Sequence, residues 1–290
     1  MELRNLITFS KIASLSSYSK AAENLGYAQS TITTQMQLLE EELGVKLIER
    51  TGRKIKLTNS GETFLKYANE IIDLVNESKE VIRSESIPKG TLKIGVIESL
   101  CTIRLPKILE IYHEKYPDVN IELKVGICSE LREMLKKNIV DIIFVLDRKI
   151  DDEKLILYLN KYEPMAILCS PSNKLAKKCN VTLDDIKNES LILTEKGCSY
   201  RKEFEQILKK KSINTNLVLE SGSIEAIKGF VKSNIGITLL PKMTVEKELK
   251  NKELVELTVE GCEFSMHTQI LYNKKKYITS AMNAFLGMIE

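Results

Sequence analysis

The apolar pattern of this chain changes period at one point, the segment Ile87-Pro88-Lys89-Gly90. Before it, apolar residues recur every three or four positions, the period of a helix packed on one side. After it, short apolar runs typical of buried strands alternate with further helical stretches. Because proline and glycine both interrupt helices, we predict a hinge here between two parts of different architecture. A length of 290 residues, about two domains' worth, agrees with that division.

The composition is typical of a globular protein. Hydrophobic residues make up 43% and charged residues 29% of the chain, and no apolar run reaches the roughly 18 residues that span a bilayer. The net charge is only +3, so any surface for nucleic acid must be local. The first residues, Met1-Glu2-Leu3-Arg4-Asn5, do not begin the succession of basic, apolar and small residues that forms a secretion signal. We expect a cytoplasmic protein without membrane association.

Neither a metal site nor a catalytic motif is visible. The six cysteines are scattered without a C-x-x-C pair, and the two histidines are His113 and His267, which excludes a zinc finger. In the cytoplasm the thiols should be reduced. The G-x-S-x-G, G-x-G-x-x-G, P-loop and H-E-x-x-H motifs are also missing. We predict a protein that is not an enzyme and needs no metal or cofactor.

Three helical patterns occupy the first 44 residues. The second begins at a cap, Ser17 or Ser19, and ends at Gly26. The third carries apolar residues at helical spacing and stops at Gly44, a residue suited to a left-handed helix end. A short helix, a turn and a longer helix form the outline of a helix-turn-helix.

Polar residues lie off the apolar stripe at the amino end of the third helix. They are Gln29, Ser30, Thr33 and Thr34, where a recognition helix presents side chains to base edges. An exposed, solvated helix face is the alternative reading, and periodicity alone leaves both open.

A basic segment follows the third helix. Residues 45–58 contain two short extended runs around Gly52, with four basic residues and no acid between Arg50 and Lys56. A hairpin with this charge is suited to lie against phosphates.

Together, these segments resemble the winged helix-turn-helix of LysR-type transcriptional regulators. Two positions depart from the family pattern: Ile48 stands where phenylalanine is usual, and Thr34 stands where arginine is frequent. The second departure means that base preference does not carry over from relatives. The matching residues are Phe9, Ser17-Tyr18-Ser19-Lys20-Ala21-Ala22-Glu23-Asn24-Leu25, Gln29-Ser30-Thr31-Ile32-Thr33, Leu39-Glu40, Leu43-Gly44, Leu47-Ile48, Arg50, Leu57-Thr58 and Gly61.

With this resemblance, residues 1–58 are predicted to form a DNA-binding domain for double-stranded promoter DNA. The predicted DNA-contacting residues are Ser19, Gln29, Ser30, Thr31, Thr33, Thr34, Gln37, Arg50, Arg53 and Lys54.

A long helix is predicted from Asn59, since Asn59-Ser60-Gly61-Glu62 has capping-box spacing. Phe64, Ala68, Ile71 and Val75 then form one apolar stripe, which needs a partner. Packing onto its own domain is one possibility. The resemblance implies that residues 59–86 are a linker helix and hinge that pairs with a second subunit, giving a homodimer or homotetramer.

Residues 87–290 show strands and helices in alternation. The strand, helix, strand, helix, strand order from Leu92 to Leu146 indicates parallel, buried strands. The segment Ile235–Leu240 reads as a later strand. The order resembles the effector domain of LysR regulators, which has the two-lobed type 2 periplasmic-binding-protein fold. It implies a first lobe of residues 91–162 and 268–290 and a second of residues 163–267, in an α+β multidomain protein.

Loops after several predicted strands combine hydroxyls, thiols and helix starts. In open α/β sheets, ligands collect at the carboxyl ends of strands, and in the family these loops line an interlobe cleft. Each serine is alternatively an ordinary helix cap. The predicted effector-binding residues are Ser99, Leu100, Cys101, Thr102, Cys128, Ser129, Asp147, Cys198, Ser221 and Ser223.

The charges at these strand ends are mixed, so the small-molecule effector remains unidentified, with a carboxylate and a zwitterion both open. The acids are Glu98, Asp147, Glu195 and Glu220, and the bases are Arg104, Arg148, Lys196 and Arg201. The thiols of Cys101, Cys128 and Cys198 suggest either redox or soft-metal sensing or simple close packing.

We predict a transcriptional regulator whose promoter binding or DNA geometry responds to its effector, with RNA polymerase as a further partner of an activator. A stand-alone solute-binding protein is the main alternative, and residues 1–84 oppose it. A structural nucleoid protein would need no second domain. The sequence does not identify the target genes or the sign of regulation.

Overall fold

The computed structural model describes residues 1–51, 54–82, 87–213 and 216–289. The chain divides into two compact units. The first contains Met1–Pro88 with the short segments Lys136–Ile139 and Tyr277–Ser280, and the second contains the remainder. Over the described ranges, no helix is long and apolar enough to cross a membrane.

Three helices, a hairpin and a long fourth helix form the amino-terminal unit. Gly26 and Gly44, both with a φ of +69°, end the second and third helices as the sequence predicts. Ser17, one of the two predicted caps, accepts a hydrogen bond from the N–H of Lys20 at 3.3 Å. The elements are α1 (Leu3–Leu15), α2 (Tyr18–Leu25), α3 (Gln29–Leu43), β1 (Ile48–Thr51), β2 (Lys54–Leu57) and α4 (Asn59–Ile82).

The apolar stripes of α1, α3 and α4 meet in one core. Phe9, Ile32 and Leu39 are fully buried, and the rings of Phe9 and Phe64 lie 5.6 Å apart. Each such side chain contributes roughly 1.5–3 kcal/mol when buried. This burial fixes which face of α3 points outward.

The start of α4 differs from the predicted capping box. Thr58 rather than Asn59 is the cap: its Oγ1 accepts from the N–H of Gly61 at 3.0 Å and donates to the carbonyl of Lys46 at 2.7 Å. A Cβ on Gly61 would lie 2.0 Å from the carbonyl oxygen of Leu47, so no other residue fits there without a backbone shift. The first turn of α4 therefore rests directly on the chain that leads into the hairpin.

The apolar stripe of α4 is largely used within its own unit. Phe64 and Ile71 pack against the amino-terminal core. Among the described side chains of this helix, the exposed large apolar ones are Tyr67, 59% exposed, and Leu74, 62% exposed, one heptad apart. This exposed apolar side of α4 is rotated away from the predicted stripe.

The carboxyl-terminal unit alternates strands and helices along most of its length. Short 3₁₀ turns at Lys174–Lys177 and Lys242–Thr244 complete it. Up to the sixth strand, the elements are β3 (Gly90–Val96), α5 (Glu98–Ile103), α6 (Leu105–Lys115), β4 (Val119–Val125), α7 (Cys128–Lys136), β5 (Ile142–Asp147) and β6 (Leu155–Tyr162). The rest are β7 (Met165–Cys169), α8 (Leu183–Ile186), β8 (Ser190–Leu193), α9 (Ser199–Lys210), β9 (Asn216–Glu220), α10 (Ile224–Lys232), β10 (Thr238–Pro241), α11 (Glu246–Lys250), β11 (Val255–Leu257), β12 (His267–Asn273) and α12 (Ser280–Leu286).

A five-stranded sheet in the order β4-β3-β5-β12-β6 forms the first lobe, with the helices packed on it. Strand β3 pairs in parallel with β4 and β5, which confirms the predicted parallel arrangement. Strand β12 returns antiparallel between β5 and β6. Ile142 to Leu146 are all buried, as a central parallel strand requires.

The part of the chain predicted as the second lobe, residues 163–267, contains two smaller sheets formed by strands within residues 165–257. One is three-stranded, in the order β10-β7-β11, and the other pairs β8 with β9 in parallel. The chain leaves the first lobe after Tyr162 and rejoins its sheet at His267.

The predicted strand Ile235–Leu240 begins later than expected, at Thr238. A Cβ on Gly236 would lie 2.4 Å from the carbonyl oxygen of Ser190, so the backbone at this point packs directly against the backbone at the start of β8. Ile237 then makes only an isolated bridge with Leu191. Regular pairing with β7 starts at the next residue.

Candidate functional site

The outer face of α3 gathers the polar residues that the sequence singles out. Ile32, Met36 and Leu39 occupy the opposite face and are buried. Gln35 and Glu40 are buried as well. Because the core fixes the rotation of the helix, the side chains on its other side point outward. Gln29, Ser30, Thr31, Thr34 and Gln37 are exposed, and Thr33 is half-buried.

Hydrogen bonds organise the amino end of this face. The hydroxyl of Ser19 on α2 donates to Gln29 Oε1 at 3.1 Å, which ties the two helices together. The hydroxyls of Thr33 and Thr34 donate back to the carbonyls of Gln29 and Ser30, at 2.9 and 3.1 Å. The Gln29 amide can still donate through Nε2 while its oxygen keeps a second lone pair, the pattern needed to read adenine.

The carboxyl end of α3 is acidic and serves the fold. Glu40 is buried, and its Oε1 accepts from the N–H groups of Leu47 and Ile48 at 2.9 and 3.2 Å. Its other oxygen pairs with Lys46 Nζ at 2.7 Å, which raises the pKa of Lys46. Glu40 thereby fixes the start of the hairpin against α3. The acidic end of α3 is therefore less suited than the amino end to lie near phosphates.

The hairpin places its basic positions on two paired strands. Arg50 lies opposite Ile55, and Thr51 lies opposite Lys54. The whole of Arg53 and the side chains of Arg50 and Lys54 lie outside the described residues. Lys56 on β2 is exposed.

A cavity of about 260 Å³ lies between the lobes of the carboxyl-terminal unit. Of the ten predicted effector residues, Ser99, Cys128 and Cys198 line it. All three stand in the first turn or at the cap of a helix that follows a strand, α5, α7 or α9. This is the position at which open α/β sheets present ligand-binding groups.

The other seven predicted residues do not line the cavity. In α5, Leu100 is buried in the core, Cys101 is half-buried, and the exposed Thr102 donates to the carbonyl of Glu98 at 3.0 Å. Ser129 is exposed, and Asp147 accepts from the N–H of Arg148 at 2.8 Å.

The remaining two, Ser221 and Ser223, serve the backbone. Ser223 caps α10 by accepting from the N–H of Ala226 at 3.4 Å, and Ser221 accepts from the N–H of Ser223 at 3.1 Å. For this pair the helix-cap alternative describes the structure.

Several lining residues were not among the predicted ones; some fall within the predicted loops and others lie directly beside them. The polar ones are Glu98, Thr194, Glu195, Ser199 and Tyr200. The apolar ones are Ile97, Val125, Ile127, Leu146 and Ile224. The sequence position of these residues could have identified them. Residues in the first turn of a helix that directly follows a strand face the cleft, whereas later residues of the same helix point away from it.

Two contacts join the lobes across the cavity. Glu98 Oε1 accepts from the backbone N–H of Ile224 at 3.4 Å. Gly197, with a φ of +101°, lies so close to Ile127 that a Cβ would be 2.4 Å from the tip of that side chain. The positive φ at position 197 favours glycine in this arrangement.

The polar groups of the cavity are short of partners. Glu98 Oε2, Ser99 Oγ and Thr194 Oγ1 are buried and accept or donate no conventional hydrogen bond within the described part of the chain. Burial raises the pKa of Glu98, and the neighbouring charge of Glu195 adds to the effect.

Three of the four basic residues predicted to face this region, all except Lys196, pair with acids that do not line the cavity. Arg201 is 3% exposed and pairs with Glu205 and Glu220, each at 2.7 Å. The bond to Arg201 lowers the pKa of Glu220. Arg148 pairs with Glu203.

Arg104 forms an ion pair with Glu163, where the chain passes from the first lobe to the second. Its Nη2 lies 2.6 Å from Glu163 Oε2. Glu163 is 2% exposed and also accepts from the hydroxyl of Thr268 at 2.9 Å.

The cavity thiols are not activated. Burial raises the pKa of Cys128 to about 12 and also raises that of Cys198. Outside the cavity, burial likewise raises the pKa of Cys101. A sensor thiol has a lowered pKa, so these environments favour close-packed thiols over redox sensing. Within the described ranges, no group of three or more residues could hold a metal ion.

Comparisons with known proteins cover both units. Residues 3–62 match the family model of bacterial regulatory helix-turn-helix proteins of the lysR family, and residues 86–290 match that of the LysR substrate binding domain. An uncharacterised HTH-type transcriptional regulator of Bacillus subtilis, YwqM, is 37% identical over 289 residues, or 99% of this chain and 98% of the relative.

The HTH-type transcriptional regulator SoxR of an Arthrobacter species is 31% identical over 291 residues, or 100% of this chain and 97% of the relative. A solved full-length OxyR variant of Pseudomonas aeruginosa has a TM-score of 0.79 at 20% identity and covers 100% of this chain and 94% of its own. This last likeness concerns the fold.

Proposed function

Because the chain belongs to the LysR family of transcriptional regulators, we propose that α3 and the hairpin read promoter DNA under the control of a small molecule bound in the interlobe cavity. The family and these relatives are regulators rather than enzymes. An amino-terminal DNA-binding domain and a carboxyl-terminal effector-binding domain make up the chain.

The observation that carries the DNA-binding proposal is the division of α3 into two ends. Its amino end offers uncharged donors and acceptors, and its carboxyl end is acidic and bound to the hairpin start. Base-reading residues are then Gln29, Ser30 and Thr33, with Ser19, Thr31, Thr34 and Gln37 beside them. Arg50, Arg53 and Lys54 supply phosphate contacts, which position the protein without reading sequence.

The cavity supports control by a ligand because both lobes contribute to its wall. Ser99 and Cys128 come from the first lobe, and Cys198 comes from the second. A ligand that touches both sets stabilises one arrangement of the lobes over another. Its influence is limited to its differential affinity for the two, commonly about 1–3 kcal/mol of coupling.

A homodimer, or a tetramer of two dimers, places two DNA-binding domains on one duplex. The exposed pair Tyr67 and Leu74 on α4 is the apolar surface that we assign to the dimer. Promoter binding implies action in the cytoplasm, and a contact with RNA polymerase follows if the protein activates transcription.

The test is selection of bound sequences from random duplexes by the full-length protein, followed by titration of the selected site. We expect a two-part site recognised by a dimer, with affinity lost in Gln29→Ala and preserved in Lys177→Ala, a charge change in the second lobe. Selection of no sequence above background would contradict promoter recognition. Sequence-independent binding would favour a structural nucleoid role.

A further inference from the structure

The charge that faces the interlobe cavity has one sign. Glu98 and Glu195 line it, and none of its lining residues is lysine, arginine or histidine. Lys228 acts on Glu98 electrostatically, but it pairs with Glu225 and Glu248 at 2.5 and 2.9 Å. A simple anion entering the cavity would therefore meet two carboxylates and no cationic side chain among the lining residues.

Two buried hydroxyls and one carboxylate oxygen in the cavity lack conventional hydrogen-bond partners. Ser99 is 2% and Thr194 is 3% exposed, yet neither hydroxyl has a conventional hydrogen bond, and the Thr194 hydroxyl lies beside the Cys198 thiol. The buried Glu98 Oε2 lacks a partner as well. Buried polar groups without partners are costly, and such groups in a cavity indicate that a ligand completes them. A ligand that donates hydrogen bonds would satisfy all three.

Two backbone donors near helix starts already bind carboxylates. The N–H of Ile224, at the start of α10, donates to Glu98 Oε1 at 3.4 Å. The N–H of Ile127, just before α7, donates to Glu130 Oε2 at 3.4 Å. At α9, where no side chain caps the helix, Glu195 lies in the turn that precedes it. At α7 and α10, a carboxylate thus already binds a backbone donor of the kind that attracts anions to helix starts.

The remainder of the wall is apolar, with Ile97, Val125, Ile127, Leu146 and Ile224 among its residues. A hydrated inorganic cation would leave this surface unused. The volume of about 260 Å³ lies just below the range of roughly 300–1,000 Å³ typical of drug-sized ligands. The occupant is therefore small and partly hydrocarbon.

We propose that the effector carries a positively charged nitrogen on a small apolar body, and that this nitrogen binds between Glu98, Glu195 and the hydroxyls of Ser99 and Thr194. This inference rests on the proposed role of the cavity as the effector site and adds the chemical class of the ligand. A zwitterion qualifies through its ammonium group, and a plain carboxylate does not. Since Glu98 also bonds Ile224 of the second lobe, the ligand acts on a group that joins the lobes.

The test is isothermal titration calorimetry on the full-length protein with matched probes. The cations n-butylamine and phenethylamine are compared with pentanoate and hydrocinnamate, which carry a carboxylate on the same hydrocarbon skeletons. Glu98→Gln and Glu195→Gln remove one charge each. Glu110→Gln, at an exposed position outside the cavity, is the matched control.

We expect the amines to bind and the carboxylates not to bind. Loss of one carboxylate should weaken amine binding at least about tenfold, while Glu110→Gln should leave it unchanged. Amine binding that is equal in Glu98→Gln, or no amine binding at all, overturns the proposal.

Carboxylate binding separates the two levels of inference. If the carboxylates bind and Gly222→Leu, which fills the cavity, abolishes that binding, the ligand class is wrong and the cavity remains the effector site. If Gly222→Leu leaves binding intact, the ligand lies elsewhere and the proposed role of the cavity also fails.

Discussion

Glu98 and Ile224, 126 residues apart in the chain, are joined by a hydrogen bond of 3.4 Å from the Ile224 N–H to Glu98 Oε1. The bond connects the first turn of α5 in the first lobe with the first turn of α10 in the second. The other oxygen of the same carboxylate, Oε2, lies buried at the cavity. Ligand binding at Oε2 would therefore strengthen the charge that holds Ile224.

Glu98 should make the free protein sensitive to pH. Its folded-state pKa lies above the ordinary value of 4.5, so the folded protein binds more protons and loses stability as pH rises from 4.5 through the folded pKa. Glu98→Gln removes this loss and can keep the bond to Ile224. We expect the melting temperature of the variant to exceed the wild-type value by roughly 1–4 °C near pH 7.5 and to match it near pH 4. A constant difference between the variant and the wild type at all pH values would contradict the assignment.

Gln29 should contribute specificity rather than general affinity. Gln29→Ala is expected to reduce the ratio of specific to random-duplex affinity by about 5- to 150-fold, since a bidentate base contact supplies roughly 1–3 kcal/mol of discrimination. Fluorescence anisotropy with both duplexes measures the ratio. Equal weakening on the two duplexes would remove α3 from the role of recognition helix.

Arg53 should show the opposite behaviour. Arg53→Ala is expected to weaken specific and random duplexes alike and to lower the slope of affinity against salt by about one. A salt titration of the same two duplexes measures this slope. An unchanged slope would mean that the hairpin does not touch phosphates.

The exposed side of α4 should hold the dimer. Leu74→Asp places a charge on an apolar contact and should raise the dimer dissociation constant at least tenfold, by the roughly 1.4 kcal/mol or more that such burial costs. Sedimentation velocity measures the dimer, with Asn76→Asp on the same helix as the charge control. An intact dimer in the Tyr67→Asp and Leu74→Asp double variant would place the interface elsewhere.

Glu40 should stabilise the amino-terminal unit. Glu40→Ala leaves the buried N–H groups of Leu47 and Ile48 without an acceptor and should cost about 2–4 kcal/mol of the free energy of unfolding. The exposed Glu41→Ala should cost no more than about 0.5 kcal/mol. Urea unfolding followed by circular dichroism compares them, and equal costs would show that the buried bonds do not matter.

The sequence predicts the elements of this protein better than the side chains of its sites. The positions of α2 and α3 follow from local features, namely helical spacing and the left-handed ends at Gly26 and Gly44. The parallel core follows equally well, because Ile142 to Leu146 form a continuous apolar run. Each of these signals is contained within a few neighbouring residues.

Which of several nearby residues on a helix lines a site depends on packing against residues that are distant in the chain. Ser99 lines the cavity and Thr102 does not, because α5 begins immediately after β3 and its rotation is set there. On α4, the predicted stripe includes Ile71, but packing against α1 covers that side and leaves Leu74 outside. The role of Glu98 depends on Ile224, which is too distant in the chain for any local pattern to reveal.

The missing side chain at Gly61 has a mechanical consequence. With the Leu47 carbonyl filling the space of a Cβ, and Thr58 bonded to both sides of the joint, α4 and the hairpin lack a pivot between them. Glu40 couples the same chain segment to α3. A rotation of α4 would therefore turn the hairpin and the base-reading surface of α3 with it, as one rigid body. In a dimer built on this helix, the angle between the two α4 helices would determine which spacing of DNA half-sites fits. The shape of each amino-terminal unit would stay the same.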